Sequence, residues 1–187
     1  MNLDLIQTSC SSINSIYIIR NFLEDEKTLY FYTKQIEKLT YKDEMQRRTN
    51  VQASMTAYNA LLENPDFEYL HKKIIQTLIN IWTLRTPHPF APLKFEIFNS
   101  WAMRHNKGDF TVNHIHMCNF ASAFYLSVPN PVMMKFDDFE KTVELEPNML
   151  LFFPGYTKHS VSENFAQDYR LSMSLNINIF PEHKGSN

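Results

Sequence analysis

Asn113-His114-Ile115-His116, followed by Phe152-Phe153-Pro154-Gly155-Tyr156-Thr157-Lys158-His159 and Tyr169-Arg170-Leu171-Ser172, sets the reading of this 187-residue chain. Side chains alternate faces along a β-strand, so His114 and His116 point the same way from an extended segment. His159 follows 43 residues after His116, and Arg170 follows 11 residues after that. Imidazoles on neighbouring strands can hold one divalent metal. An arginine beside them can take a carboxylate through its planar fork.

Working outward, the last strand supports a site of this kind. From Tyr169 to Phe180, one face carries Leu171, Met173, Leu175, Ile177 and Ile179. The other carries Arg170, Ser172, Ser174, Asn176 and Asn178. A solvated face would also alternate in this way. One arginine followed by small polar residues, however, suits the lining of a polar cavity better than it suits an exposed surface.

Upstream, further extended stretches read as Phe95–Met103, Thr111–His116, Asn119–Val128, a hairpin of Val132–Phe136 with Thr142–Glu146 around Asp137-Asp138, Met149–Phe153 and Lys158–Ser162. Asn106 to Asp109 and Pro154-Gly155 read as turns. Before Leu93 the chain changes character. Ile13–Ile19 reads as a strand. Asn21–Leu39 reads as a helix with Leu29, Tyr32, Ile36 and Leu39 on one stripe, and Glu24, Asp25 and Glu26 suit its N-terminal end. Asn64-Pro65 opens a second helix, Asn as cap and Pro at the first position, with Phe67, Leu70, Ile74, Ile75, Leu78, Ile81 and Trp82 on its apolar face. Residues 1–14 are polar and read as loosely held. Tyr41–Tyr58 reads as irregular or edge strand, with a lid or rim of the site as its functional option. Thr86–Pro92 is a proline-rich linker, and the tail from Pro181 to Asn187 is polar.

Two helices followed by seven or eight short strands predict a mainly β fold with N-terminal helices. The expected architecture is a double-stranded β-helix, or jelly roll, with the helices packed on one sheet. The expected unit is one domain over 1–187, with 1–92 as a helical support region and 93–180 as the β-helix core.

Composition narrows the function classes. Three glycines cannot build a Gly-rich phosphate loop. A net charge of −2 argues against a nucleic-acid partner drawn by bulk charge. No stretch approaches a membrane span, and no basic region followed by an apolar run marks a secretory leader, so a cytoplasmic protein is expected. Cys10 and Cys118 read as reduced thiols. Cys118 could face the metal, since it lies two residues past His116, but a small buried residue is its commoner role. Nothing in the sequence sets an oligomeric state; a homodimer is the commonest assembly.

The segment from Trp101 to Asn176 resembles the 2-oxoglutarate- and iron(II)-dependent oxygenases. It is most similar to a small branch common in phages and marine bacteria with the tract His-x-His-x-x-x-x-x-Ser-x-x-x-Tyr-Leu. Here that tract reads His114-Ile115-His116, Ser122 and Tyr125-Leu126, and the later tract reads Phe153-Pro154, His159, Arg170 and Ser172. The resemblance implies an Fe(II) centre on His114, His116 and His159. It implies 2-oxoglutarate held by Arg170 and Ser172, with Tyr125 at the family's Tyr-Leu position, and hydroxylation of an unknown prime substrate. Asn119 and Ser122, on the same strand after the His-x-His, are further candidates to reach the keto acid or the substrate. The chain departs from the family at one position: its usual motif is His-x-Asp/Glu…His, and His116 stands where the carboxylate is expected.

Three readings of His116 follow: it ligates, a carboxylate such as Asp109 completes the set, or it lies behind the metal and water fills its place. The first uses the same i, i+2 geometry as the usual motif. The bland alternatives are surface histidines, an Arg170–Asp168 ion pair of little worth, and Tyr125 and Trp101 as core aromatics. Asn99 and Trp101 share a strand face and are candidates to line the pocket, with core packing the commoner role for Trp101. His71, His88, His105 and His183 have no ligand spacing and are expected to face solvent. Two rival functions use the same residues. One is a cupin-type three-histidine dioxygenase without a keto acid, with Arg170 binding the substrate's carboxylate. The other is a non-catalytic metal-binding β-sandwich.

Overall fold

The structure is a computed structural model that describes residues 2–7, 14–41, 50–85 and 92–182. Among the described residues eleven strands form two antiparallel sheets. In chain order they are β1 (Asn2–Gln7), β2 (Ser15–Arg20), β3 (Ser54–Met55), β4 (Leu93–His105), β5 (Thr111–His114), β6 (Phe120–Ser127), β7 (Val132–Phe136), β8 (Lys141–Leu145), β9 (Met149–Pro154), β10 (His159–Val161) and β11 (Arg170–Pro181). The larger sheet runs β1-β2-β9-β6-β11-β4-β3 and the smaller β5-β10-β7-β8. Two helices, α1 (Glu26–Thr40) and α2 (Glu68–Arg85), complete the fold. This is the predicted jelly roll with helices on one sheet.

The layers follow from strand alternation. The outer face of the large sheet meets the helices, where Tyr32 and Ile36 of α1 and Leu70, Ile74 and Leu78 of α2 pack with Phe120, Phe124, Leu171, Met173 and Leu175. The inner face meets the small sheet, where Ala123, Tyr125, Leu151 and Phe153 pack with Val132, Met134, Phe136 and Val161. A third cluster of Val51, Ala53, Met55 and Trp101 closes one end between the sheets.

The second helix begins as the sequence predicts. Asn64 caps the Asp66 amide at 3.0 Å, and Pro65 leads a 3-10 turn into α2. The first does not begin at Asn21, whose left-handed φ of 52° stops a helix there. Phe22 and Leu23 plunge into the core instead, and the helix starts after Asp25, whose carboxylate caps Lys27 and Thr28. The N-terminal stretch expected to be loose contains β1, which pairs along its length with β2 and forms an edge of the large sheet.

His71 and His105, expected to face solvent, are both buried. His71 Nε2 is 3.0 Å from Ser100 Oγ beneath α2, and His105 Nε2 is 3.1 Å from Thr111 Oγ1. Ser100 comes from β4 and Thr111 from β5, just past the turn after His105, and each hydroxyl offsets the cost of burying an imidazole. Among the described residues no helix is long and apolar enough to cross a membrane. The readings placed on residues 8–13, 42–49, 86–91 and 183–187, including Cys10, His88 and His183, lie outside the described residues.

Candidate metal centre

His114 ends β5 and His159 opens β10, and the two are direct cross-strand partners. Their ring centroids lie 4.3 Å apart. His116 follows β5 in a short irregular stretch, with its ring centroid 5.0 Å from that of His114 and 5.2 Å from that of His159. One ligand nitrogen from each of the three lies within 4.8 Å of the others. That spacing suits a single ion bridging three imidazoles.

The main chain orients two of these rings. His114 Nδ1 lies 2.9 Å from the Val112 carbonyl, and His159 Nδ1 lies 2.9 Å from the Thr157 carbonyl. A carbonyl only accepts, so both nitrogens carry the proton and each Nε2 keeps a bare lone pair. Burial lowers the pKa of all three rings: His114 below its usual value, His116 to about 4 and His159 to about 3. Neighbouring imidazoles lower the last two further. At neutral pH all three are therefore in the uncharged form that binds metals.

Gly155 fixes the loop that carries His116. Its carbonyl accepts from the His116 amide at 2.7 Å and its amide donates to the Asn119 carbonyl at 3.1 Å. A β-carbon on Gly155 would sit 2.2 Å from the Cys118 carbonyl oxygen, so only glycine lets the two segments come this close.

The three histidines line a cavity of about 100 Å³ between the sheets. Arg170, Ser172, Ser174 and Asn176 line it from β11, Ser122 and Tyr125 from β6, Phe153 from β9 of the same sheet, and Met134 and Val161 from the small sheet facing them. The cavity reading of the last strand is thus the observed one. Arg170 is 1% exposed, and its Nη1 donates to the Ser162 carbonyl at 3.3 Å. Its Nε and Nη2, with Ser172 Oγ and Ser122 Oγ, have no hydrogen-bond partner among the described residues. Arg170 makes no ion pair with Asp168 among the described residues. Buried donors without acceptors are rare in folded proteins, and a guanidinium with two of them suits a carboxylate. Tyr125 lies beside Met134, and burial pushes its phenol up to about 12, so it stays protonated.

Two candidates lie elsewhere. Asn119 is exposed and does not line the cavity; its Oδ1 accepts from the Ile179 amide at 2.8 Å, which ties it to the end of β11. Asp109 stands apart from the histidine group; its carboxylate accepts from the Asn106 amide at 2.8 Å and closes the turn after β4. Cys118 is also outside the group. Its thiol meets the Phe120 carbonyl, and burial raises its pKa to about 11.

Sequence reasoning missed one lining residue and offered others. His105 lines the cavity beside Arg170, its direct partner across β4 and β11. Its pKa is pushed well down, first by burial and then by the guanidinium. Trp101 lines the cavity and meets Tyr58 edge-on at 5.0 Å. Asn50, Val51, Met55 and Tyr58 form a rim, in the segment that carried the rim or lid expectation.

No family model and no curated protein sequence matches the chain. Solved structures do match. The viral collagen prolyl hydroxylase vCPH from Paramecium Bursaria Chlorella virus-1, in its 2OG complex, aligns with a TM-score of 0.64 at 13% identity, over 87% of this chain and 94% of that one. The non-heme alpha-ketoglutarate-dependent epimerase SnoN from nogalamycin biosynthesis aligns with a TM-score of 0.69 at 17% identity, over 91% and 81%. HygX from Streptomyces hygroscopicus, with nickel and 2-oxoglutarate bound, aligns with a TM-score of 0.62 at 9% identity, over 87% and 82%. At these identities the likeness carries the fold, which this chain shares with 2-oxoglutarate-dependent oxygenases.

Proposed function

We propose that the protein is an iron(II)- and 2-oxoglutarate-dependent dioxygenase that hydroxylates a prime substrate. One observation carries the reading: three imidazoles with their ligand atoms grouped together and a buried guanidinium with two nitrogens unpartnered among the described residues line the same cavity. His114, His116 and His159 would hold the metal. Arg170 and Ser172 would take the distal carboxylate of the keto acid, with Tyr125 beside them. All of these residues lie within 93–180. The 2OG and 2-oxoglutarate carried by vCPH and HygX, which share the fold, support the assignment.

Iron(II) held there would supply dioxygen activation coupled to oxidative decarboxylation of 2-oxoglutarate to succinate and carbon dioxide. The chain's own work is ligation, orientation and exclusion of water. Each Nε2 of His114 and His159 is kept bare by its Nδ1 hydrogen bond. Arg170 fixes the direction in which a dicarboxylate enters. Phe153, Met134 and Val161 keep the walls apolar. Three uncharged ligands give the centre one negative charge fewer than two histidines and a carboxylate would.

The three-histidine set also favours a second reading, a dioxygenase that needs no keto acid. Succinate formation separates the two. Iron-loaded protein given 2-oxoglutarate and air is expected to form succinate, and His159→Ala is expected to form none. Iron bound without succinate or keto-acid binding would overturn the first reading, and oxygen uptake with a carboxylate-bearing thiol would then favour the second.

A further inference from the structure

We propose that the wall formed by Val51, Met55, Tyr58 and Trp101 is the prime-substrate subsite. It takes an uncharged substrate that lays an apolar group on the wall and offers a carbonyl oxygen to Trp101 Nε1. The inference deepens the proposed function, and it rests on the histidine group marking the reacting end of the cavity.

The lining divides by depth. Arg170, His105 and Tyr125 belong to its buried end, at 1%, 2% and 4% exposure. Tyr58 and Ile115 are its exposed members, at 38% and 51%. A molecule entering while the keto acid occupies the buried end therefore meets Tyr58 and Ile115 first.

The wall follows from strand alternation. β4 brings Trp101, Met103 and His105 to the cavity at every second position. Trp101 pairs with Ser174 of β11, and Met103 pairs with Met55 of β3. Val51, Ala53, Met55 and Trp101 form an apolar cluster with Met103 packed against it. The Trp101 ring lies 6.1 Å from the His116 ring and meets the Tyr58 ring edge-on at 5.0 Å. The wall thus borders the histidine group directly.

Two observations set the chemistry of the occupant. Arg170 is the only Asp, Glu, Lys or Arg in the lining. Apart from the keto-acid anchor, no fixed charge there matches a charged group, and burying one unmatched is costly. Trp101 is 4% exposed, and its Nε1 is buried without an acceptor among the described residues. An indole N–H only donates, and a buried one usually finds a partner. Trp82 Nε1 is unpartnered as well, but that ring lies in the helix-side core, edge-on to Phe95 and Phe120, and lines no part of this cavity. The donor beside the histidines is the one a substrate oxygen can meet.

The test uses metal-free protein and N-benzylacetamide. Propylbenzene is the analogue without an acceptor, and benzylammonium and phenylacetate are the charged ones. Nitrogen-15 NMR reads the two indole N–H groups, with Trp101→Phe assigning them. N-benzylacetamide is expected to shift the Trp101 signal saturably and to leave Trp82 in place. Trp101→Phe keeps an aromatic ring and removes the donor. It should close the gap in affinity between the amide and propylbenzene, a gap of about fivefold for one neutral hydrogen bond. Tyr58→Ala should weaken both probes alike. Arg170→Met is titrated beside the parent, so that phenylacetate held at the keto-acid end is told apart. In that variant both charged analogues should bind about tenfold more weakly than the amide. Thermal melting checks that each variant folds. An unmoved Trp101 signal, a gap between the two probes that survives Trp101→Phe, or a charged analogue that equals the amide in Arg170→Met would overturn the proposal. Displacement of the amide by 2-oxoglutarate added with Zn(II) would also overturn it, because the two would then share one place. Failure of 2-oxoglutarate to bind, with the amide still seated against Trp101, would defeat the proposed function and leave the subsite standing.

Discussion

On one side of β11, Leu171, Met173, Leu175 and Ile177 are fully buried against the helices. On the other, Arg170, Ser172 and Ser174 are buried almost as deeply, yet Arg170 Nε, Arg170 Nη2 and Ser172 Oγ have no partner among the described residues. The same strand therefore stabilises the fold through one face and lines the cavity with polar groups on the other. A buried guanidinium with no carboxylate partner among the described residues is costly to desolvate, so the cavity face contributes less stability than the helix face. Such a face makes sense as the place where a carboxylate and a metal arrive.

Substitutions on the two faces should part in sign. The largest loss is expected on the helix face, where Leu175→Ala should cost about 2–5 kcal/mol in denaturant unfolding, with ligand binding intact in the folded fraction. Gly155→Ala comes next, since the new β-carbon must push against the Cys118 main chain. It should cost about 1–3 kcal/mol and also weaken Co(II) binding, because the same contact holds the His116 loop.

A smaller effect follows pH. His71 is buried on the helix side with its pKa lowered by burial to about 4. Its folded value lies below the unfolded one, so its contribution is complete above the unfolded pKa of about 6.5 and is lost as pH falls toward the folded value. Within that window one such proton is worth about 1.4 kcal/mol per pH unit. The cavity histidines and His105 shift in the same direction. Metal-free protein should therefore lose stability steadily as pH falls from about 6.5 to about 4, and His71→Gln should flatten the slope by one proton in unfolding measured across the range. An unchanged slope would contradict a buried neutral His71. The smallest effect is expected for Arg170→Met, which should leave stability unchanged or raise it by about 1 kcal/mol, because it removes an unpaired buried charge. A loss above about 2 kcal/mol would show that Arg170 is a structural member of the core.

What the sequence made legible was local or periodic. The alternation from Arg170 to Ile179 separated the two faces of β11 before any strand partner was known. Asn64-Pro65 marked the start of α2 through cap chemistry that needs only adjacent residues. His114, His116 and His159 stood out because i, i+2 spacing survives as geometry in any strand. What stayed hidden depends on register. The pairing of His159 with His114 brings together residues 45 positions apart, and no local pattern specifies it. His71 is buried where Ser100 of β4 meets it, and His105 where the chain turns back and brings Thr111 of β5 against it. Asn119 looked like a cavity residue from its place after the His-x-His stretch, but its side chain caps the Ile179 amide instead. Residues 1–14 read as a loose end because of the serines at 9, 11 and 12, yet Asn2–Gln7 pairs with β2 as a strand.

The most direct measurement is anaerobic calorimetric titration of 2-oxoglutarate into the iron(II)-loaded protein, beside Arg170→Ala and His159→Ala. The parent is expected to bind one equivalent. Arg170→Ala should keep its iron and lose most of its keto-acid affinity, whereas His159→Ala should lose the iron and the keto acid together. Keto-acid affinity in Arg170→Ala equal to the parent's, or no binding to iron-loaded parent, would contradict the assignment of one cavity to both ligands.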